Sequence, residues 1–361
     1  MKTAHIVYHN DWDGKMSGAI MYQYIREARP DIEKYELYEV DYTMELDGMF
    51  RHLKKGDIIT FTDYSFSKES NLEVLFMLVL SGYEVIWIDH HKTSVDVVSK
   101  VRDIHGVRFM DLNRFAMNYD FSICVDTSHC ATWLAWVWAY TKLYREVPSE
   151  RKIPKLIKYV NSYDTFKHDM ESTEECHYGV MSYKYEPNTI FKKIFNAKSA
   201  LSVFDGSKES LACMDHFINN MITSGRAIKK YVDRRNESER AQLGFEFSIV
   251  DIPNNRVYSC YAMNIHSNSS AFGSKYDIYD IVCPFILIGG KQWKYSLYSS
   301  KENVDCAALA ETIGDTIGLG GGGHKGAAGF QTSKNILESH CRIIISRTLF
   351  NKPKVCVVGK M

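Results

Sequence analysis

Short apolar runs alternate with helical patterns through the N-terminal half of the chain. Residues 3–9 (TAHIVYH) read as a strand, and residues 14–28 carry Met16, Ile20, Tyr24 and Ala28 at helical spacing. Residues 57–62 (DIITFT) form a second β-branched and aromatic run, 84–88 (EVIWI) a third, and 107–110 (VRFM) a fourth. Between the second and third, residues 72–80 are apolar almost throughout, the pattern of a covered helix. Strands alternating with helices predict βαβ units and a parallel sheet. Residues 128–144 (SHCATWLAWVWAYTKLY) read as a buried helix, and 154–161 as the start of another.

The texture then changes. Residues 170 to 240 are more charged and less regular, and 211–239 end in KKYVDRRNESER, a solvated helix or a connector. From Phe245 onward FSIVDI, RVYSCYAMNI, DIVCPFILI and WKYSLYS are strand-like, separated by turn residues, and 306–317 (CAALAETIGDTI) reads as a helix ahead of a glycine run. No internal repeat is apparent. The expected fold class is α/β: a parallel-sheet domain over 1–170, a helical or irregular connector over 171–240, and a smaller mixed α/β domain over 241–361.

Composition narrows the function classes. The 361 residues are 45% hydrophobic and 24% charged, ordinary for a globular protein. Lys plus Arg and Asp plus Glu are each 44, so the chain has no net charge with which to attract nucleic acid. A long polyanion would need a local basic surface, whereas a small anionic substrate could be handled by metal ions alone. The nine cysteines are odd in number and lack C-x-x-C spacing, which excludes a zinc ribbon and argues for free, mostly buried thiols in a reducing cytoplasm. The opening MKTAHIVYHNDWDG turns polar too soon for a signal peptide, and apolar stretches such as 75–80 and 131–139 are too short to span a bilayer. A cytoplasmic protein without membrane contact is expected.

Three acidic clusters sit where strands are expected to end: His9-Asn10-Asp11-Trp12-Asp13-Gly14, Asp63-Tyr64-Ser65 and Asp89-His90-His91. In open α/β sheets ligands bind beyond the carboxyl ends of the strands, so all three would converge on one crevice. Asp164, after a helical segment, adds a fourth carboxylate. An Asp after a strand is, by itself, a helix cap or turn residue. Asp-His-His directly behind the four apolar residues of EVIWI is harder to dismiss, because burying such groups together calls for a cation. Asp oxygens with one or two His nitrogens suit hard or borderline divalent ions, Mn²⁺ first and Mg²⁺ next. Two ions at roughly 3.5–4 Å can clamp both oxygens of an in-line phosphoryl displacement.

The second signal is the run Gly320-Gly321-Gly322-Gly323-His324-Lys325-Gly326-Ala327-Ala328-Gly329-Phe330. Glycines let successive N–H groups turn toward one anion as a nest, with His324 as a further donor. Residues 318–323 also match G-x-G-x-x-G, but they follow a helix rather than a strand, so a dinucleotide fold is rejected. No Walker A loop is present.

Together these residues resemble the DHH/DHHA1 phosphoesterases, a superfamily that includes nanoRNases, RecJ-type exonucleases and cyclic-dinucleotide phosphodiesterases. The resemblance rests on 9–14, 63, 89–91 and 164, then on the GGGH run at 321–324 with AAG behind it. It implies that Asp11, Asp13, Asp63, His90 and Asp164 are metal ligands, with Asp63 bridging and His9 counted beside them. It implies that His91 acts as an acid or orienting group, that Asp89 supports the histidines, and that Gly321, Gly322, Gly323 and His324 bind substrate. Two departures stand out. His9-x-Asp11-x-Asp13 is tighter than the spacing of many small-substrate members and closer to the RecJ-like pattern. Ser296-Leu297-Tyr298-Ser299 stands where many nanoRNases carry Ser-x-Arg-Ser. Losing the Arg removes a bidentate phosphate contact, and Tyr298, with Ser296, would offer a ring for a base instead.

The expectation is therefore a Mn²⁺-dependent phosphodiesterase that cuts short oligonucleotides to nucleoside monophosphates. The alternatives are a cyclic-dinucleotide or 3′-phosphoadenosine-type phosphoesterase, a RecJ-like single-strand exonuclease, and an inert nucleotide-binding protein. The expected partners are a short oligonucleotide or nucleotide and, in assembly, a second copy of the chain as a homodimer.

Overall fold

The computed structural model describes residues 1–41, 44–66, 68–99, 102–104, 107–109, 116–184, 186–190, 208–347 and 353–358. The chain divides into two compact units, residues 1–229 and 230–361.

The first unit is built on a five-stranded, all-parallel sheet. Its strands are β1 (Lys2–His9), β2 (Ile32–Val40), β3 (Ile58–Thr62), β4 (Glu84–Asp89) and β7 (Phe121–Val125), in the order β2-β1-β3-β4-β7. A separate antiparallel ribbon pairs β5 (Arg102–Ile104) with β6 (Val107–Phe109). The fourth strand expected at 107–110 thus exists over Val107–Phe109 but does not join the sheet, and Met110 lies outside the described residues. The two edge strands of the sheet, β2 and β7, escaped the pattern. IEKYELYEV alternates charge with aromatic and aliphatic residues and is only half-buried along most of its length, as an edge strand is.

Helices cover both faces, as a parallel sheet requires. On one face, α1 (Trp12–Ala28), α4 (Ala131–Tyr144) and α5 (Lys155–Asp164) bury Met16, Ile20, Trp136 and Ile157 against Ala4, Ile6, Ile86 and Ile88. On the other, α2 (Glu69–Leu80) buries Leu72, Leu75 and Val79 against Val7, Ile59, Phe61 and Trp87. A short α3 (Lys92–Ser99) follows β4. Within the stretch expected to be less regular, α6 (Thr173–Met181) packs on α5, and α7 (Lys208–Leu243) is one helix of 36 residues; residues 185 and 191–207 lie outside the described residues.

From β1 the chain crosses to β2 on one side and then to β3 on the other. The strand order reverses between β1 and β3, which opens a crevice beyond their carboxyl ends. Helix α1 lies close over that end. A side chain at Gly14 would put its Cβ 2.2 Å from the His9 carbonyl oxygen, so only glycine fits there.

The second unit carries an eight-stranded mixed sheet. Its strands are β8 (Gly244–Asp251), β9 (Arg256–Met263), β10 (Ile281–Ile288), β11 (Gln292–Tyr298), β12 (Gly321–His324), β13 (Ala327–Thr332), β14 (Arg342–Arg347) and β15 (Pro353–Val358), in the order β12-β13-β11-β10-β9-β8-β14-β15. Helix α8 (Cys306–Ile317) buries Leu309, Ala310 and Ile313 against Tyr295, Leu297, Ala328 and Phe330. Fold class is thus α/β, with a parallel sheet in the first part and a mixed sheet in the second.

All nine cysteines are free and six of them are buried. Among the described residues no helix is long and apolar enough to cross a membrane.

Candidate metal centre

Every strand of the first sheet points the same way, so the residues that leave the ends of β1, β3 and β4 arrive together. His9 ends β1, Asp11 caps α1, Asp63 follows β3, Asp89 ends β4, and His90 and His91 follow it. Asp164, the last residue of α5, reaches the same cluster.

Asp63 is the centre. It is 1% exposed, and neither carboxylate oxygen makes a hydrogen bond. Its Oδ1 lies 3.3 Å from His90 Nε2 and 3.9 Å from His91 Nδ1, while its Oδ2 lies 3.7 Å from His9 Nδ1. The two oxygens therefore face different partners. His90 Nε2 also lies 3.2 Å from Asp164 Oδ2, itself buried without a hydrogen bond, and 3.7 Å from Asp13 Oδ2. Three sets of ligand atoms close enough to share one cation result: Asp63 with His90 and His91, His9 with Asp11 and Asp63, and Asp13 with His90 and Asp164. Asp63 belongs to two of them.

The backbone of Asp63 is left-handed, with φ at 55°. That conformation costs about 1–2 kcal/mol, least for Asp and Asn. It is held from β4: the Asp63 N–H donates to the Ile88 carbonyl at 2.9 Å, and the buried Trp87 indole donates to the Tyr64 carbonyl at 3.0 Å. Strain that the surroundings enforce in this way is common at functional sites.

Asp11 and Asp13 also serve helices. Asp11 Oδ1 accepts the Gly14 N–H at 2.9 Å and so caps α1, while its Oδ2 lies 2.9 Å from His9 Nδ1. The buried Asp13 carboxylate accepts the Ala131 and Thr132 N–H groups, each at 2.8 Å, at the start of α4. A helix cap and a metal ligand are compatible in the same residue, because a carboxylate oxygen that accepts one N–H keeps a second lone pair. Those two amides had no signal in the sequence, since backbone donors are not written in side chains.

Behind the cluster, Asp89 is wholly buried and pairs with His91 Nδ1 at 2.8 Å and with the Ser94 hydroxyl. Burial works against its charge, but His91, His90 and Ser94 outweigh it and hold the carboxyl below its usual range. With Nδ1 held by a carboxylate, His91 has its ring orientation fixed. His177 on α6 is a neighbour that the sequence analysis missed. It stacks on Tyr163 with ring centroids 3.4 Å apart, and burial holds its imidazole down at about 4.

The electrostatics match a cation site. Burial, and then the charges of Asp11 and Asp13, push the Asp63 carboxyl well above the usual carboxylate range, and burial with Asp13 does the same for Asp164. Without a cation these carboxyls are driven to hold protons. The buried oxygens of Asp63 and Asp164 that lack hydrogen bonds, ringed by imidazoles, are the donor set a Mn²⁺ or Mg²⁺ ion accepts.

In the second unit the glycine run is not a nest. Gly321–His324 is an extended edge strand paired antiparallel to β13, so its N–H groups alternate in direction. The glycines serve packing: a Cβ on Gly321 would lie 2.1 Å from the Ala310 carbonyl oxygen of α8. Register still gathers the expected substrate residues. Tyr298 pairs with Ala327 and Ala327 with His324, while Ser296 pairs with Gly329 and Gly329 with Gly322. Two rows with small residues in the middle share one face of the sheet. The His324 side chain lies outside the described residues.

No protein-family model matches the chain, and no curated protein matches its sequence. Among solved structures it is similar to RecJ in complex with Mn²⁺ from Thermus thermophilus, with a TM-score of 0.45 and 13% identity over 92% of this chain and 49% of that one. An exonuclease RecJ bound to manganese gives 0.44 and 14% identity, over 92% and 86%. CDC45 from Entamoeba histolytica gives 0.40 and 10%, over 92% of each chain. This chain thus spans about half the length of the Thermus RecJ.

Proposed function

We propose that the protein is a divalent-metal-dependent phosphodiesterase that hydrolyses short oligonucleotides to nucleoside monophosphates. One observation carries the reading: a buried Asp63, with both oxygens lacking hydrogen bonds, belongs to two groups of Asp and His side chains that could hold a metal ion, at the ends of parallel strands. Asp11, Asp13, Asp63, His90 and Asp164, with His9, would hold two cations, Mn²⁺ before Mg²⁺, and Asp63 would be shared between them. When bound, the cations neutralise the phosphoryl oxygens and make water acidic enough to lose its proton near neutral pH.

In the reaction a water oxygen forms a bond to phosphorus, the bond from phosphorus to the ester oxygen breaks, and that oxygen takes up a proton. Asp89 holds His91 through Nδ1, so Nε2 is the atom through which His91 orients or protonates the departing oxygen. Asp13, tied to the start of α4 by two N–H groups, would be held in place against the repulsion of the neighbouring carboxylates. Ser296, Tyr298, Gly321–Gly323 and His324 would supply the substrate-binding surface of the second unit. The zero net charge favours a short substrate over a long strand.

The test is release of mononucleotides from an end-labelled ladder of RNA and DNA, from the dinucleotide to much longer oligomers, with Mn²⁺, with EDTA, and with Asp63→Ala plus His90→Ala. Metal-dependent cleavage that is fastest on the shortest members and lost in the variant is expected. Processive loss of long DNA would move the assignment to a single-strand exonuclease, and cleavage of a cyclic dinucleotide alone would replace the substrate.

A further inference from the structure

The segment between α5 and α6 is unusual in its backbone. Of the seven non-glycine residues with positive φ among the described residues, three fall here: Phe166 at 54°, His168 at 47° and Ser172 at 62°. A left-handed Phe is rarer than a left-handed Asp or Asn, because it lacks a short polar side chain to bond locally.

The segment is nonetheless held firmly. Its anchor is Ser162, which is 1% exposed. The Ser162 carbonyl accepts the His168 N–H at 2.9 Å, and its hydroxyl accepts the Asp169 N–H at 3.0 Å. The Phe166 N–H donates to the Tyr163 carbonyl at 3.0 Å, and the Tyr159 hydroxyl donates to the Glu171 carbonyl at 2.9 Å. This fixed, strained backbone leaves Phe166 64% exposed.

Phe166 stands two residues beyond Asp164. It also begins a line of rings: Phe166 to His168 at 6.4 Å, His168 to Tyr163 at 5.5 Å, and Tyr163 to His177 at 3.4 Å. That line runs through Tyr163, the neighbour of Asp164 at the end of α5. An exposed aromatic ring thus stands two residues from a carboxylate of the cluster, whose cations would receive the phosphate. Nearby, Lys167 Nζ donates to the Ser128 carbonyl at 3.3 Å, which ties the segment to the turn that leads into α4.

We propose that Phe166 is a specificity-determining residue that stacks on the nucleobase next to the scissile phosphate. The inference rests on the phosphodiesterase reading and deepens it: the site takes a nucleotide rather than any phosphate ester. Stacking tolerates every base, because each has a π-face, so Phe166 confers selectivity for a base without selecting which one.

The experiment is calorimetric binding of an uncleavable dinucleotide, its bridging oxygen replaced by methylene, and of the same molecule with the base removed. Each is titrated with Mn²⁺ into the wild type, Phe166→Ala and Phe166→Trp. Hydrolysis of the cleavable dinucleotide is followed in parallel as kcat against KM. Phe166→Ala is expected to weaken dinucleotide binding by about 5- to 150-fold, the range found for base–aromatic stacking. The loss should appear in KM, be several-fold smaller for the abasic molecule, and be restored by Phe166→Trp. Equal losses on both molecules would make Phe166 merely structural, and no loss on either would remove it from the site; both results overturn the proposal while leaving the phosphodiesterase reading intact. A wild type that neither binds nor cuts a dinucleotide would overturn both.

Discussion

The two sheets of this chain concentrate chemistry differently. In the first unit five strands run parallel, so their carboxyl ends share one edge, and whatever leaves β1, β3 and β4 meets in a single crevice. Asp63 and Asp164 are buried there with oxygens that lack hydrogen bonds. In the second unit most neighbouring strands are antiparallel and their ends alternate, and, although Asn236 Oδ1 on α7 is buried without a hydrogen bond, hydroxyls of its sheet are matched. The Tyr295 hydroxyl pairs with Asn335 Oδ1 and accepts the Ile336 N–H, each at 2.9 Å, and the Ser299 hydroxyl donates to the Asp280 carbonyl at 2.7 Å. Among the described residues, every group of potential metal ligands lies in the first unit. What the second sheet offers is register, with rows of Tyr298, Ala327 and His324 and of Ser296, Gly329 and Gly322 across three strands. A parallel sheet gathers charge at an edge, whereas an antiparallel one sets side chains in rows on a face.

The contrast breaks most visibly at Asp89, which touches His91 but belongs to none of the ligand groups. Asp89→Asn is expected to lower metal affinity or turnover by about 10- to 100-fold, as loss of a carboxylate behind a metal-site histidine does. Metal titration and initial rates, with circular dichroism to check the fold, would measure it. A loss no greater than that of a random surface change would mean that His91 does not need its partner.

The pH dependence of stability sharpens the same contrast. Asp63 and Asp164 have folded-state pKa values raised above their unfolded values, so between the two values the folded protein holds protons that the unfolded chain has released. Stability of the metal-free protein is then present at low pH and lost as pH rises through the folded pKa. His9 acts in the same direction. Burial opposes its charge, but Asp11 and Asp63 raise it to about 10, so its contribution is full below its unfolded value and lost as pH rises toward 10. The melting midpoint of the metal-free protein should fall from about pH 5 to about pH 9. Added Mn²⁺ binds the deprotonated carboxylates and should lift the midpoint by an amount that grows with pH. A lift independent of pH would place the ion elsewhere.

The smallest effect belongs to the second unit. Tyr295→Phe removes a matched hydroxyl and should cost about 1 kcal/mol, with the Mn²⁺-induced shift unchanged. Thermal melts with and without metal would show whether the two units respond separately.

Much of the cluster was legible because β3 and β4 run straight into an Asp and β1 reaches one two residues past its end. In Glu84–Asp89 the change of polarity marks at once the end of the strand and the start of the cluster. The edge strands were not legible, since Ile32–Val40 carries three Glu residues and buries fully only at its ends. The Ala131 and Thr132 amides that hold Asp13 come from 118 and 119 residues away, a pairing that no local pattern reports. The glycine run was misread as a nest for a related reason. Glycine permits both a turn and a strand, and the contact that decides between them, Gly321 against Ala310, depends on how α8 packs.

The most direct measurement is calorimetric titration of Mn²⁺ into the metal-free wild type and into Asp63→Asn, with the melting temperature of each recorded. Asn tolerates the left-handed backbone at this position, so the fold should survive the change. The account predicts that the wild type binds Mn²⁺ and gains stability, that Asp63→Asn loses both responses, and that the variant without metal melts no lower than the wild type, because a buried carboxylate lacking hydrogen bonds has been removed. Unchanged Mn²⁺ binding in Asp63→Asn would contradict the claim that this carboxylate is the centre of the site.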